Sequence, residues 1–235
     1  MVNSLRNTML ALTCILSMQI AAHPTFNPKN TTFFFDLHDV VLKVDKKERF
    51  KLALKNLGTS LKLAFNKVSR KNCANGEEYA LLLKKKGYAK EAKLVRKMSA
   101  AYKVNKDVLC IIKTLQAKGY TVNMASNIGA QHLEDLINPG RIKSHEKRKK
   151  RMKVRSAIES FDDLVFVDYE TDRVIAKPSR AYFELLRDNC GRDKHAIFVD
   201  DSRTNVHAAQ RSGLHGIRFT SAKQLKKDLQ KFGIL

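Results

Sequence analysis

A chain of 235 residues fits one domain, or one domain carrying a sizeable insertion. With 43% hydrophobic and 29% charged residues, four Pro and ten Gly, it is not disordered, collagen-like or Pro-rich. Lys and Arg total 45 against 23 Asp and Glu, and a net charge of +22 favours anionic ligands, nucleic acid or membrane surfaces as partners. Cys14, Cys73, Cys110 and Cys190 lie far apart without a C-x-x-C pair. That spacing excludes a zinc ribbon and a thioredoxin-like motif, and allows at most one disulfide once Cys14 is lost with the N-terminus.

The first 22 residues read as an export signal. Arg6 supplies a positive start, and Met9 to Ala22 is a mostly apolar stretch ending in Ala21-Ala22. Such a stretch is short for a membrane span and has the length of a signal core. Thr13, Ser17, Gln19 and Ile20 depart from the pattern, which leaves an uncleaved anchor over 9–22 and a buried helix as alternatives. The expectation is an exported protein starting near His23, after which His23 to Pro28 forms a linker.

Thr31 to Leu37 (TTFFFDL) is a β-branched and aromatic run ending in an acid, which predicts a buried strand. Residues 46–104 carry no comparable run. Phe50, Leu54, Leu57, Leu61 and Phe65 recur at helical spacing, as do Leu81 to Leu83, Ala92, Val95 and Met98, predicting several amphipathic helices in a row. Asp107 to Lys118 predicts another helix, with Gly119 just past its end. Strand Thr121 to Ser126, a helix over 129–137, strand Leu164 to Asp168 and helix Ser179 to Asn189 come next. Strand Ala196 to Asp200, helix Arg203 to Ser212, strand Gly216 to Phe219 and a last helix from Ser221 follow.

Strands alternating with helices argue for an α/β fold, a doubly wound parallel sheet with helices on both faces. The helical block between the first and second strands is then an insertion. The expected division is a signal over 1–22, a core over 23–44 and 106–235, and a small α-helical cap over 45–105, hinged near Val41 to Asp45 and Tyr102 to Asp107.

In an open parallel sheet, ligands gather beyond the carboxyl ends of the strands. Four predicted strands end there in polar residues. The first gives Asp36, with His38 and Asp39 beyond; the second gives Ser126-Asn127. The third leads through Asp168 to Lys177-Pro178, and the fourth gives Asp200-Asp201. Clustered carboxylates suit a hard divalent cation such as Mg²⁺, and a lysine beside them holds another anion. Together they describe a phosphoryl-transfer site. Each piece alone reads more readily as a turn or a helix cap, Asp200-Asp201-Ser202 for the helix at Arg203 among them. The order of the four features argues against coincidence.

These residues resemble the haloacid dehalogenase-like (HAD-like) hydrolases. F-F-F-D-L-H-D-V-V-L at 33–42 looks like their first motif, and A-S-N-I at 125–128 like their second. K-P-S-R-A-Y-F at 177–183 is similar to the third, and I-F-V-D-D-S-R-T-N-V-H-A-A-Q-R-S-G at 197–213 closely matches the fourth. The resemblance covers about residues 31–220 and implies a Rossmannoid core with a cap between motifs one and two. It also implies roles. Asp36 is the nucleophile that forms an aspartyl-phosphate, splitting one hard step into two. Ser126, Asn127 and Lys177 hold the phosphoryl group, Lys177 also neutralising Asp36. Mg²⁺ is bound by Asp36, the His38 backbone carbonyl, Asp201 and Asp200. Asn205 either orients the acidic loop or packs.

The departure is His38, where phosphatases of this family carry a second Asp as general acid and base; Asp39 stands where a glycine is usual. The leading expectation is therefore a Mg²⁺-dependent phosphohydrolase acting on a small phosphorylated substrate. The second is a catalytically impaired protein of the same fold that binds a phosphorylated ligand or an anionic partner. The third is halide removal by the same nucleophile without metal.

Two basic segments stand apart. Residues 141–155 hold nine Lys/Arg against one Glu, and 45–105 hold seventeen against five acids. The first reads as a solvated helical face, with nucleic acid, anionic lipid or an acidic partner as alternatives. No aromatics interleave it to stack bases.

Overall fold

β1 (Thr31–Phe35) lies at the centre of a five-stranded parallel sheet, and all five of its residues are buried. The computed structural model describes residues 26–65, 68, 73, 76–138, 145–167 and 174–235. The signal expected over 1–22, Asp168 and residues 141–144 of the basic run lie outside the described residues.

Along the chain, β2 (Leu42–Val44) precedes four helices, α1 (Lys46–Lys55), α2 (Leu57–Phe65), α3 (Gly76–Lys85) and α4 (Ala89–Ser99). Next come β3 (Tyr102–Val104), α5 (Lys106–Ala117), β4 (Thr121–Gly129), α6 (Ala130–Ile137) and α7 (His145–Ile158). The remainder is β5 (Leu164–Val167), α8 (Arg180–Cys190), β6 (His195–Asp200), α9 (Arg203–Arg211), β7 (His215–Arg218) and α10 (Ala222–Lys231). The sheet order is β5-β4-β1-β6-β7, with Phe33 beside both Val122 of β4 and Ile197 of β6.

A strand buried on both faces needs apolar residues at every position, and β1 supplies them. Phe33 and Phe35 join Ile112, Leu115, Val154 and Leu225 on one face, while Phe34 joins Tyr182, Phe183 and Phe198 on the other. Helix starts are capped as the sequence suggests: Ser179, Ser202 and Ser221 accept from the backbone N–H groups of Tyr182, Asn205 and Gln224. From β1 the chain builds outward through β4 and β5, then returns to β1's other side with β6. This reversal puts a crevice at the carboxyl ends of β1 and β6, where such sheets bind ligands.

The insertion rises from an antiparallel ribbon. β2 and β3 pair Leu42 with Val104 and Val44 with Tyr102, and Asn105 Nδ2 donates to the Val40 carbonyl at 3.0 Å. These strands were invisible to the pattern because three residues are too few to alternate. The expected hinge segments are thus one hydrogen-bonded stem. Above it, α3 and α4 enclose a small core of Tyr79, Ala80, Leu83, Ala92 and Val95.

α1 and α2 correct an expectation. Phe50, Leu54, Leu57, Leu61 and Phe65 do share helical faces, but those faces point outward and the five side chains are 51–83% exposed. The half-buried side carries Leu52, Ala53 and Leu63 with Asn56 and Ser60. These two polar side chains are satisfied locally, Asn56 Nδ2 donating to Leu52 O at 2.8 Å and Ser60 Oγ to Ala53 O at 3.0 Å. Periodicity identifies a face and not the direction in which it turns. The basic helix α7 is likewise only partly solvated: Val154, Ala157 and Ile158 are buried, and Lys150 pairs with Asp45 at the foot of the insertion.

Candidate active site

Asp36 follows β1, and its backbone N–H donates to Val199 O of β6 at 2.8 Å, which fixes the residue over the crevice. Asp200 closes β6. Between their carboxylates sits the ammonium of Lys177, 2.8 Å from Asp36 Oδ1, 2.7 Å from Asp200 Oδ2 and 3.0 Å from Ala125 O. All three residues are buried. Lys177 is aimed there by Asn127, whose side chain both accepts from Lys177 N and donates to Lys177 O, each at 2.8 Å. Asp200 is further held by Ser202 N at 2.8 Å and by Asn205 Nδ2, 3.1 Å from both of its oxygens. Asn205 therefore orients the acidic loop. Ser126 and Asn127 do not cap α6, because β4 continues past them to Gly129.

Charge is in short supply here on the positive side. Burial holds the Asp36 carboxyl well above its ordinary value; Lys177 opposes this, while Asp200 and Asp201 add to it. Burial by itself disfavours the Lys177 ammonium, but Asp36 and Asp200 outweigh it and keep the proton on. Partial desolvation, then the charges of Asp200 and Asp39, raise Asp201. Asp36, Asp200 and Asp201 each offer an oxygen within 4.8 Å of the others, with Asp201 exposed. Three hard oxygen donors sharing one ammonium fit a divalent cation of the Mg²⁺ type, which would relieve their mutual repulsion.

His38 lies beyond Asp36, its ring 4.8 Å from that of Tyr102 and 5.9 Å from that of His132. Its Nε2 is buried and has no hydrogen-bond partner among the described residues. Burial, then His132, Lys177 and Arg49, pushes its pKa down to about 3. The imidazole is neutral. Asp39 has φ 58, the left-handed conformation that explains why a glycine is usual at this position in the family it resembles.

Ser126 is fully buried at the end of the Ala125–Lys177 contact, with a hydroxyl that has no protein partner among the described residues. It lines a cavity of about 460 Å³ together with Asp36, His38, Asn127 and Lys177. The insertion lines the far side through Arg49, Leu63, Tyr79 and Tyr102, and α6 contributes His132. Arg49 donates from Nε to Met98 O at 2.9 Å and lies over Tyr102, 5.5 Å from the ring centroid. Sequence reasoning did not single out Arg49, Tyr102 or His132. Arg49 reads as one more cation in a basic helix, and His132 as one polar residue on a helix; they meet at the cavity from the insertion and from the helix after β4 respectively.

No family model matches the chain, and no curated protein matches it. Solved structures do. A HAD family enzyme from Bacteroides thetaiotaomicron, in complex with magnesium and inorganic phosphate, matches at a TM-score of 0.52 with 17% identity, over 81% of this chain and 94% of its own. A predicted HAD-like family hydrolase from Porphyromonas gingivalis matches at 0.52 with 16% identity, over 86% and 97%. The L-2-haloacid dehalogenase from Xanthobacter autotrophicus, with chloropropionic acid covalently bound, matches at 0.50 with 15% identity, over 87% and 84%. At such identities the shared property is the fold.

Proposed function

We propose that this chain, which has the fold of the haloacid dehalogenase-like hydrolases, is a phosphohydrolase working through Asp36. The observation that carries this reading is the Lys177 ammonium held between Asp36 and Asp200 on the floor of the cavity. A nucleophilic carboxylate must be ionised and aimed; Lys177 favours the first by charge, against burial, and secures the second through its fixed position. Asp36 attacks phosphorus, the P–O bond to the leaving group breaks, and water then cleaves the aspartyl-phosphate to free Asp36 and phosphate. Ser126, with its unpartnered hydroxyl, supplies a hydrogen bond to a phosphoryl oxygen. Asn127 acts through Lys177, since its side chain is turned to that residue. Asp36, Asp200, Asp201 and the His38 carbonyl are the groups that would hold Mg²⁺, whose contribution is to neutralise charge on the transferring group. The Mg²⁺ complex of the Bacteroides enzyme is in keeping with this.

The leaving group decides the substrate class. A neutral His38 holds its one N–H proton too tightly to protonate an alkoxide, whereas its unprotonated ring nitrogen accepts one from water. Acyl and aryl phosphates, which leave without protonation, are therefore the expected substrates, and sugar phosphates poor ones. The test is phosphate release from acetyl phosphate and p-nitrophenyl phosphate, with Mg²⁺ and with chelator, by wild type and Asp36→Asn. Release that is Mg²⁺-dependent and lost in Asp36→Asn is expected. Turnover that survives Asp36→Asn overturns the assignment.

His38 also favours a second reading, a binding protein without turnover. Orthophosphate that stabilises the protein in Mg²⁺, with no ester or acyl phosphate hydrolysed, would select it.

A further inference from the structure

We propose that the outer face of α1 and α2 seats on an anionic phospholipid surface. The face is apolar where a surface helix is normally polar. Phe50 is 65% exposed, Leu54 and Leu57 are each 56%, Leu61 is 51% and Phe65 is 83%. Neither helix buries a single residue. Five exposed apolar side chains of this size, recurring at helical spacing along two successive helices, mark an interaction surface rather than ordinary scatter.

The five are not walls of the catalytic cavity. The same two helices reach that cavity from their other side, through Arg49 and Leu63. The outer face thus has no partner in the reaction, and the inference stands independently of what the site hydrolyses.

Charge selects the partner. Lys46, Lys47, Lys51, Lys55 and Lys62 are all exposed around the apolar stripe, and Glu48 is the single acid in the two helices. Phe and Leu on one side with lysines beside them is the make-up of helices that lie in a membrane interface. A second copy would bring the same lysines and a net charge of +22 against the first, whereas anionic headgroups attract them. Among the described residues no helix is long and apolar enough to cross a membrane, so the seating is peripheral. The apolar side chains enter the headgroup boundary and the lysines stay among the phosphates.

The chain has no Trp, so Phe65→Trp in the full chain makes a unique reporter. Its fluorescence is followed with vesicles of phosphatidylcholine containing about 30% phosphatidylserine, and with phosphatidylcholine alone, at about 0.1 M salt. We expect a blue shift and quenching by brominated lipid with the anionic vesicles, weakened by added salt. In the same background, Leu57→Ser with Leu61→Ser should reduce vesicle partitioning at least about tenfold with Tm unchanged, as both side chains are exposed. Emission indifferent to anionic vesicles overturns the proposal. So does vesicle binding that the double variant leaves intact, which would assign it to another segment. A blue shift that grows with protein concentration without lipid overturns it in favour of a second copy.

Discussion

Asn127 and Lys177 hold each other by two hydrogen bonds of 2.8 Å, side chain to backbone in both directions. Lys177 comes from the loop before α8, outside the sheet. The clasp transfers the rigidity of β4 to that loop, and the ammonium arrives between Asp36 and Asp200 as a result.

Removing the clasp and removing the cation should therefore differ in degree. Asn127→Ala should cost about 1–3 kcal/mol of stability and slow turnover, because the partly buried backbone groups of Lys177 lose their partners. Lys177→Met should cost about 3–5 kcal/mol and abolish turnover, since two buried carboxylates are left unpaired. Chemical denaturation and phosphate release measure both.

Mg²⁺ should raise Tm. A ligand present at 100 times its dissociation constant adds about 2.7 kcal/mol to the native state. Asp201→Asn and Asp36→Asn should each remove most of that gain in thermal scans with and without chelator. Beryllium fluoride added with Mg²⁺ should raise Tm again in wild type and not in Asp36→Asn.

His38→Asp should restore a proton donor beside the leaving group. Hydrolysis of alkyl phosphates should rise by about 10²-fold, near the lower end of what general acids supply, with acyl phosphates little changed. Steady-state rates on a sugar phosphate and acetyl phosphate check the contrast. Equal effects on both would mean that His38 does not act at the leaving group.

His132 should subtract stability in mild acid, against the raised carboxyls of Asp36 and Asp201, which act in the opposite sense. Burial pushes its pKa down from 6.5 to about 4, with Arg151 and Arg96 adding to the shift and Asp135 opposing it. As pH falls from 6.5 towards 4, the unfolded chain takes up a proton at this position and the native protein does not. Stability is therefore present above the unfolded pKa and is lost across that window, by about 3 kcal/mol for this residue. His38 shifts in the same direction and adds to the contribution of His132. Relative to wild type, His132→Gln should therefore gain stability from pH 7 down to 5, measured as the difference in Tm by thermal denaturation at each pH.

What the sequence disclosed was whatever depends on local pattern. Thr31 to Phe35 could be read as a buried strand because burial on both faces demands an unbroken apolar run. The strand ends then ordered Asp36, Ser126, Lys177 and Asp200 around one crevice, since a parallel sheet puts all its carboxyl ends on one edge. Three things were illegible. β2 and β3 are too short to leave a periodic signature. The outward turn of Phe50 and Phe65 depends on what fills the other side of the helix, which spacing does not encode. Arg49 and His132 reach the cavity from elements far apart in sequence, by a tertiary arrangement that no local rule supplies.

Val44 and Tyr102 are partners on one rung of the β2–β3 ribbon. The whole of 45–101 is thus attached to the core at a single point of entry and exit. A two-residue turn such as Asn-Gly could join that rung directly. Such an attachment is modular: the insertion can be lengthened, shortened or given a new outer surface while Asp36, Lys177 and Asp200 keep their places. Diversification of what reaches the carboxylates is thereby uncoupled from the geometry of the carboxylates themselves.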